Sequence, residues 1–411
     1  MKKIVHINCA TFGSTGKIIG DIALHTSPMG YEHLLCAPGK PGTQSAVRYI
    51  CTSLPLEQGL YRRLCNITGF QYGFAPVSTA KILSVLKKEQ PDLVHVHCVN
   101  GFMVDVYKLF AFLKKNRIPT VITNHAEFFY TGSCAHAFEC NRWLEGCGNC
   151  PQRFTATHCK FGDKSAAAHQ KMKRSFAGLE YAAMVSVSPW VGGRAAASPI
   201  TAHIPQYVVL NGVNTNLFRL RDKLALRKEF GIDENEKVIF HPTAHFSDSE
   251  QDSKGGRFVL RLAKNLPVCK IIVAGNHPAD LKVPNNVTLL GRISSQELLA
   301  KYYALADVTV VTGKRETFNM PVAESLCSGT PVVGFLAGGP ESIALEDYCS
   351  FCEYGNVQKL AENVCDSLDR KCDPADIART AAQRYDAVVM AQGYAKVYDR
   401  LLQEKAVAYG G

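Results

Sequence analysis

Short runs of apolar and β-branched residues recur along this 411-residue chain and alternate with stretches of helical periodicity. Continuous apolar runs of this kind are typical of parallel strands that are buried on both faces of a sheet. The chain is also longer than the ~250 to 300 residues at which a single core stops growing. We therefore predict two doubly wound α/β domains, one for each series of runs. The first series covers 3–8, 92–98, 120–126, 184–188 and 207–212, and the second covers 237–244, 270–275, 287–291, 308–313 and 330–339.

The two series meet near Asn211, and this position sets the expected domain boundaries. We predict an N-terminal Rossmann-like domain over 1–210 and a C-terminal Rossmann-like domain over 211–375. A final helix over 376–411 is expected to pack back across both. Ligands of doubly wound sheets bind beyond the carboxyl ends of the strands. The polar segments that follow the runs are therefore expected to line a cleft between the two domains.

Charge is unevenly divided along the chain. Residues 1–210 contain 22 Lys and Arg against 11 Asp and Glu, whereas residues 211–411 contain 24 against 25. A basic half favours an anionic partner such as a phosphorylated substrate or an anionic membrane. Nucleic acid is disfavoured because no nucleic-acid-binding motif accompanies the charges. Since no apolar run reaches the roughly 20 residues of a membrane span and no signal peptide is evident, we expect a cytoplasmic protein that can associate with the inner face of the membrane.

The segment 315–342 carries the most informative pattern. Glu316 ends a predicted strand, Pro321 opens a helix at a position where its missing N–H costs nothing, and Glu324 lies one turn into that helix. Both carboxylates are expected to face the crevice and to accept hydrogen bonds from sugar hydroxyls. The start of the helix can offer backbone N–H groups and partial positive charge to a phosphate. The residues expected to supply these groups are Phe318, Asn319 and Met320.

In this segment the chain resembles the family 4 retaining glycosyltransferases, which have the GT-B fold, because Glu316 and Glu324 match their E-x7-E motif. The glycine-rich segment 338–341 is similar to the second glycine loop of that family. The resemblance implies that Glu316 holds hydroxyls of the donor sugar and that Glu324 holds the ribose of a UDP- or GDP-sugar. It also implies transfer of a hexose-type sugar with retention of configuration and without a catalytic metal.

Lys254 follows the first strand of the predicted C-terminal domain and precedes two glycines and a helix. Its ammonium group can neutralise a diphosphate, and the glycines let the backbone approach it closely. Lys254 matches the K-G step of the family. The family usually has an arginine soon after the strand as well. The nearest candidates here are His245 and Arg257, so one phosphate contact has no assigned residue.

A glycine-containing loop follows the first strand of the predicted N-terminal domain and opens a helix, so its N–H groups can face an anion. This loop resembles the first-domain loop of GT-B enzymes, which borders the phosphates and the acceptor. The expected binding positions are Gly13, Ser14 and Gly16.

His125 ends the run 120–126 and resembles the family's strand-end histidine, which sits beside the donor sugar. The acid that often follows this histidine is displaced by one residue to Glu127, so the role of Glu127 stays open. His95 and His97 alternate within the run 92–98, and we predict that they are core or cleft-wall residues.

Four of the sixteen cysteines cluster in a predicted insert over 130–159 with the spacing C-x5-C-x6-C-x2-C. Disulfides are disfavoured in the expected compartment, so the alternatives are four buried thiols and a tetrahedral, structural zinc site. The insert resembles the Cys-rich insert of the bacterial branch that builds exopolysaccharides of the colanic acid type. Further candidate ligands are His136, His158 and Cys159. The four cysteines are Cys134, Cys140, Cys147 and Cys150.

These patterns predict a glycosyltransferase of cell-surface polysaccharide biosynthesis with Glu316, His125 and Lys254 as catalytic residues. Its expected partners are a nucleotide sugar and a glycan acceptor, plausibly lipid-linked. Two alternatives remain open at this point. A sugar-nucleotide epimerase of the same architecture would turn over the nucleotide sugar with no acceptor present. A non-catalytic nucleotide-sugar or glycan-binding protein would bind the donor without releasing nucleotide.

Overall fold

A computed structural model describes residues 1–40, 47–54, 56–156, 161–370 and 372–410. They form two compact units, which are Met1–Leu210 together with Met390–Gly411, and Asn211–Val389. The candidate ligands His158 and Cys159 lie outside the described residues. Within the described ranges, no helix combines the length and the apolar character that crossing a bilayer requires.

The first unit is built on a seven-stranded sheet in the order β3-β2-β1-β4-β5-β6-β7, with every neighbouring pair parallel. Single 3₁₀ turns occur at Ser27–Met29 and Arg142–Leu144. The strands and helices are β1 (Lys2–Ile7), α1 (Gly13–Thr26), β2 (Tyr31–Ala37), β3 (Arg48–Cys51), α2 (Glu57–Thr68), α3 (Pro76–Glu89), β4 (Leu93–Val96), α4 (Val106–Lys115), β5 (Thr120–Asn124), α5 (Phe128–Thr131), α6 (Ser165–Phe176), β6 (Ala182–Ser186), α7 (Pro189–Ala197) and β7 (Gln206–Val208).

The second unit is built on a six-stranded parallel sheet in the order β10-β9-β8-β11-β12-β13. A 3₁₀ turn at Glu346–Tyr348 precedes its last strand. The elements are α8 (Lys223–Glu229), β8 (Lys237–His245), α9 (Gly256–Asn265), β9 (Cys269–Asn276), β10 (Val287–Leu289), α10 (Gln296–Leu305), β11 (Val308–Val311), α11 (Met320–Cys327), β12 (Val332–Phe335), α12 (Gly339–Ile343), β13 (Cys349–Cys352), α13 (Val357–Asp369), α14 (Pro374–Tyr385) and α15 (Ala387–Gly410).

The predicted fold class is confirmed, because both sheets are parallel and each predicted run overlaps with a strand. The prediction missed three strands, β2, β3 and β13. In β2, the polar residues Glu32 and His33 interrupt the apolar pattern. β3 and β13 are short edge strands whose side chains are largely half-buried, so their sequences lack a continuous apolar run.

The C-terminal segment differs from the single helix predicted over 376–411, because it consists of α14 and α15 with a break at Asp386. The Asp386 carboxylate accepts a hydrogen bond from the backbone N–H of Val388 at 2.7 Å, which caps the start of α15. The backbone of Val213 bonds to Tyr385 and Ala387 on either side of the break. The second unit therefore extends to Val389 and includes α14, beyond the predicted boundary at 375.

The part of α15 that belongs to the first unit covers one face of its sheet. Tyr394 and Tyr398 are fully buried there, in one apolar cluster with Ile4 of β1 and Val121 of β5. Helix α1 contributes Ile18 and Ile22 to the same cluster. The opposite face of the sheet packs against a second cluster that includes residues of α3, α4 and α6. Burial on both faces explains why these strands read as continuous apolar runs.

Candidate active site

The strand order of the second sheet changes direction between β8 and β11. From β8 the chain proceeds to β9 and β10 on one side, and β11 then returns to the other side of β8 and continues to β12. Such a switch point opens a crevice beyond the carboxyl ends of its two central strands. The segments that begin at this crevice are the loop 246–255 after β8 and the segment 312–319 after β11.

Lys254 and Glu316, which are 62 residues apart in sequence, meet at this switch point. The Lys254 Nζ lies 2.6 Å from the Glu316 Oε1. The lysine side chain is 38% exposed and the glutamate side chain 20% exposed, so the pair lies at the surface of the crevice. An ammonium group and a carboxylate side by side can bind an anionic group and a hydroxyl-bearing group of one ligand.

Backbone contacts fix the two residues relative to each other. Thr312 donates its hydroxyl hydrogen to the Lys254 carbonyl at 2.8 Å, and Gly255 has a φ of +75°. A Cβ at Gly255 would stand 2.3 Å from the Thr312 carbonyl oxygen, so this close approach requires glycine. The Glu316 N–H donates to the Ala337 carbonyl at 3.1 Å. The two loops and the second glycine loop therefore form one hydrogen-bonded assembly.

Glu324, the second carboxylate of the E-x7-E motif, is nearly buried and has a hydrogen-bond partner on α10. It lies on α11, is 8% exposed, and accepts a hydrogen bond from the Tyr303 hydroxyl at 3.0 Å. Burial, followed by the charge of Glu324, raises the pKa of Tyr303 well above its ordinary value, which keeps the hydroxyl protonated as a donor. Tyr303 was not predicted, because its position on α10 gives no sequence signal for a contact with α11.

Helix α11 begins as predicted, with Pro321 in its first turn and Met320 as its first residue. Asn319 occupies the N-cap in the left-handed conformation with a φ of +76°, and its side chain does not cap the helix. The Asn319 Oδ1 is buried without a hydrogen-bond partner among the described residues. A buried acceptor of this kind is costly unless a donor reaches it, which is consistent with a ligand hydroxyl at this position. Phe318 is 3% exposed and supplies backbone at the same turn.

The two candidates for the missing arginine differ in their surroundings. Arg257 donates from Nη1 to the carbonyl oxygens of Ser249, Glu250 and Asp252 at 3.0 to 3.3 Å, so it closes the loop before α9. His245 is exposed at the end of β8. His245 is therefore the better placed of the two to meet a phosphate.

The carboxyl edge of the first sheet carries the predicted glycine loop. Gly13, Ser14 and Gly16 lie in the first turn of α1. Asn8 connects this turn to the sheet, since its Nδ2 donates to the Thr15 hydroxyl at 3.0 Å and its Oδ1 accepts from a backbone N–H of the segment after β4. The first sheet also switches direction between β1 and β4, so the glycine loop starts at its switch point.

His125 lies directly after β5 and is partly exposed at the same edge. Desolvation lowers its pKa to about 4, so the ring is neutral at neutral pH. Its Nε2 lies 3.1 Å from the Nδ1 of His97. His95 and His97 are fully buried, in agreement with a core position.

Glu127, whose role the sequence leaves open, makes contacts that stabilise the first unit. It is fully buried and accepts hydrogen bonds from the Arg194 guanidinium at 3.1 Å and from the Ala137 N–H at 3.1 Å. The guanidinium lies 4.8 Å and 4.9 Å from the ring centroids of Trp143 and Trp190. Glu127 therefore holds the start of the Cys-rich insert against α7.

The Cys-rich insert brings its four predicted cysteines to one small cavity. Residues 146–149 all have positive φ, and Cys147 within this turn and Cys150 directly after it both line the cavity. Among the described residues, the only group with three possible metal-ligand atoms within 4.8 Å of one another consists of His6, His95 and His97. No three sulfur atoms of the four cysteines are therefore this close together. None of the described cysteines forms a disulfide. The cavity is lined by Cys134, Cys140, Cys147 and Cys150 together with Trp143 and Ser165.

The thiols of this cavity influence one another. Burial, followed by the neighbouring Cys140 and Cys150, raises the pKa of the Cys147 thiol to about 12. Burial and the other three cysteines likewise raise the pKa of Cys134. Cys134 and Cys147 therefore stay protonated at neutral pH, and a divalent cation would be needed to hold them as thiolates. Four thiols around one cavity fit the donor set of a structural zinc ion.

Two glycosyltransferase family models match the chain. Residues 16–217 match the model described as Glycosyltransferase Family 4, and residues 251–370 match the model described as Glycosyl transferases group 1. Both models are models of glycosyltransferases, in agreement with the predicted enzyme class. Within that class, the match of the first unit is to family 4.

Solved structures support the same fold. Sucrose-phosphate synthase from Thermosynechococcus elongatus has a TM-score of 0.71 at 14% sequence identity, with 98% of this chain and 100% of that chain covered. The Anabaena protein HepE in complex with UDP-glucose has a TM-score of 0.64 at 17% identity, with 97% and 100% covered. At these identities the similarity establishes the GT-B fold of the two units.

Curated relatives match over part of their length. N-acetyl-alpha-D-glucosaminyl L-malate synthase from Bacillus anthracis is 26% identical over 172 residues, which are 39% of this chain and 43% of that protein. D-inositol 3-phosphate glycosyltransferase from Mycobacteroides abscessus is 30% identical over 152 residues, which are 33% of either chain. The chain thus spans less than half the length of these relatives.

Proposed function

We propose that the protein is a retaining, metal-independent glycosyltransferase that transfers a hexose-type sugar from a nucleotide-diphosphate sugar to a hydroxyl of a glycan. The observation that carries this proposal is the contact between Lys254 and Glu316 at the switch point of the second sheet. This pair of residues supplies, within one crevice, a cation for a diphosphate and a carboxylate for sugar hydroxyls. The complex of HepE with UDP-glucose supports a UDP-sugar as the first donor to test.

The proposed reaction breaks the bond between the anomeric carbon and the diphosphate oxygen. Negative charge then develops on the leaving oxygen, and Lys254 together with the N-terminus of α11 stabilises it without a metal ion. Glu316 holds hydroxyls of the transferred sugar, and Glu324, oriented by Tyr303, holds the ribose. Gly13, Ser14 and Gly16 are proposed to border the diphosphate and the acceptor.

The anomeric configuration is retained when the acceptor attacks the anomeric carbon from the same face of the sugar ring that the diphosphate leaves. The acceptor hydroxyl forms the new bond to the anomeric carbon, and its proton passes to the leaving phosphate, so that charge and atoms balance. His125 is proposed to orient the sugar or to stabilise its developing positive charge through the ring or the backbone carbonyl. A neutral ring suits this role because an imidazolium would repel that charge.

A donor screen tests the proposal. UDP-, GDP- and dTDP-sugars are compared by thermal shift, because a ligand at ~100 times its dissociation constant stabilises the folded state by roughly 2.7 kcal/mol. The stabilising donor is then incubated with and without glycan acceptors while free nucleotide is measured. Nucleotide release that depends on an acceptor supports transfer. Turnover without acceptor would indicate an epimerase, and binding without release would indicate a binding protein.

We also propose that the acceptor is a lipid-linked glycan of cell-surface polysaccharide synthesis and that the first unit binds an anionic membrane. Helix α2 supports membrane binding because Leu60, Leu64 and Ile67 are exposed on one side of it. Arg62 and Arg63 are exposed on the same helix. An apolar stripe with adjacent arginines suits the boundary between anionic headgroups and acyl chains.

Substituting two residues of the α2 stripe is expected to weaken membrane binding. Leu60→Glu combined with Leu64→Glu should lower binding to vesicles of anionic phospholipid by about a hundredfold or more, since each buried leucine contributes about 1.5 to 3 kcal/mol and about 1.4 kcal/mol corresponds to a factor of ten. Co-sedimentation measures the bound fraction. The matched control is Val268→Glu, which alters an 83% exposed apolar residue of the second unit and should have no effect. Equal binding of all variants would contradict a role for α2.

We further propose that Cys134, Cys140, Cys147 and Cys150 hold a structural zinc ion. Such an ion would draw the sulfurs together as thiolates and would stabilise the insert, and four protein ligands would leave no position for catalysis. Purified protein is therefore expected to contain one zinc ion per chain and to melt at a lower temperature after chelation.

Elemental analysis and a control variant distinguish zinc from four buried thiols. Cys147→Ser combined with Cys150→Ser should abolish the bound zinc. Cys365→Ser, which alters an exposed cysteine of α13, should retain it. A zinc-free wild-type protein whose melting temperature ignores chelators would indicate buried thiols instead.

A further inference from the structure

A row of four histidines crosses the first sheet on the face that α1 and α15 cover. It uses β2, β1, β4 and the end of β5, which are consecutive neighbours in the sheet. Each histidine of the row lies on the strand next to that of the preceding histidine. In the strand register it also lies two residues nearer the carboxyl edge of the sheet. Ring nitrogens of successive histidines lie 2.9, 2.9 and 3.1 Å apart. The row is His33, His6, His97 and His125.

Thr26 fixes the direction of hydrogen bonding at the buried end of the row. Its hydroxyl hydrogen goes to the Ile22 carbonyl at 2.7 Å, because a carbonyl can only accept. The same oxygen lies 2.9 Å from the His33 Nε2, which must therefore be the donor. A neutral His33 then accepts at Nδ1, so the Nε2 of His6 carries the hydrogen of their contact.

The direction of hydrogen bonding is the same along the rest of the row, up to its exposed end. With Nε2 protonated, the Nδ1 of His6 accepts from the Nε2 of His97. The Nδ1 of His97 then accepts from the Nε2 of His125. His125 therefore has its hydrogen on the inner nitrogen, Nε2, and its lone pair on Nδ1.

A single hydrogen on each ring requires neutral histidines, and burial keeps these rings neutral. Desolvation lowers the pKa of His33 and His125 to about 4, and it lowers the pKa of His6 and His97 well below the ordinary value. His6 and His97 are fully buried and His33 is 4% exposed. His33, His6 and His97 thus each donate one hydrogen bond and accept one at neutral pH, and His125 donates one to His97.

The row is not a metal site, although His6, His95 and His97 have ligand atoms within 4.8 Å of one another. Both ring nitrogens of His6 and of His97 are engaged within the row. His95 stands beside the row, and its nitrogens contact Tyr398 and Thr123 at 2.7 Å each. A metal ion would have to break these contacts to gain a lone pair.

We propose that Thr26 is a positioning residue that sets the tautomer of His125 through the intervening histidines. The functional consequence rests on the proposed glycosyl transfer, in which the Nδ1 lone pair of His125 would accept a hydrogen bond from a hydroxyl of the substrate. The tautomer itself is independent of that function. Thr26 lies at the opposite end of the row and contacts the substrate in no step.

Nitrogen-15 NMR of histidine-labelled, full-length protein tests the proposal, because protonated and bare ring nitrogens give well-separated signals. The signals of His125 are assigned by their loss in His125→Ala. We expect a single tautomer of His125, protonated at Nε2, in the wild type. Thr26→Val should produce a mixture or the reversed tautomer, and Thr26→Ser should restore the wild-type spectrum. The control Tyr398→Phe removes a hydroxyl from His95 beside the row and should leave His125 unchanged.

Activity provides the second measurement. With an active donor and acceptor pair, Thr26→Val should lower kcat about three- to tenfold, and Thr26→Ser should recover it. A wild-type His125 protonated at Nδ1, or an unchanged tautomer in Thr26→Val, would overturn the proposal. Since the NMR measurement needs no turnover, failure of the proposed glycosyl transfer would leave its result intact.

Discussion

Glu316→Ala is expected to reduce glycosyl transfer at least about a hundredfold, because misplacing a substrate by about 1 Å can cost that much. The carboxylate is the proposed partner of the donor sugar, and its removal would leave the sugar without its main orienting contact. The melting temperature should change little, because the ion pair of Glu316 with Lys254 is partly exposed and such pairs contribute at most ~1 kcal/mol. Acceptor-dependent nucleotide release measures the loss.

The chain provides a matched control for this substitution. Glu229 forms an ion pair with Lys301 at 2.7 Å in the same unit, on α8 and α10. Glu229→Ala removes the same kind of contact outside the switch point and should leave transfer unchanged. Undiminished transfer by Glu316→Ala, or an equal loss in both variants, would exclude the proposed site.

Lys254→Met is expected to lower transfer by ~10²- to 10³-fold, the usual effect of removing one group that stabilises developing negative charge. The loss should fall more on kcat than on KM, because charge on the leaving oxygen grows toward the transition state. Steady-state kinetics with varied donor measures the two constants. The control is Lys301→Met, which disrupts the matched pair with Glu229.

A double variant shows whether the two residues act on one ligand. If Lys254 and Glu316 serve the same bound donor, the losses in the combined Lys254→Met and Glu316→Ala variant should be smaller than the product of the single losses. The combined Lys301→Met and Glu229→Ala variant should retain full transfer.

For the single variant Lys254→Met, a larger KM with an unchanged kcat would contradict stabilisation of the leaving group.

The fold could be predicted well from the sequence, because a strand buried on both faces must be apolar along its length. The strands that escaped prediction show the limit of this rule. In β2, His33 is nearly fully buried, yet it is polar because it belongs to the histidine row. The break between α14 and α15 was also not predicted. Asp386 ends α14 and caps α15 directly afterwards, so the helical spacing of apolar residues continues across the break.

The candidate site could be predicted only where strand ends define it. Lys254 and Glu316 follow neighbouring strands of the sheet, so their contact follows from topology. The hydrogen bond of Tyr303 to Glu324 joins two helices, and the row from His33 to His125 depends on the register of four strands. Sequence patterns do not specify such geometry, because the same residue types would also fit an ordinary core.

Because Met390–Gly411 belongs to the first unit, that unit is not encoded by one uninterrupted stretch of sequence, whereas the second unit is. The polypeptide enters the second unit at Asn211 and leaves it after Val389, so the first unit is completed only after the whole second unit has been synthesised. A fragment that stops at Leu210 would lack Tyr394 and Tyr398 and would expose the apolar surface they cover. Folding of the first unit is therefore expected to be completed only after the second unit has been synthesised, and a fragment designed to contain the first unit should keep both Met1–Leu210 and Met390–Gly411.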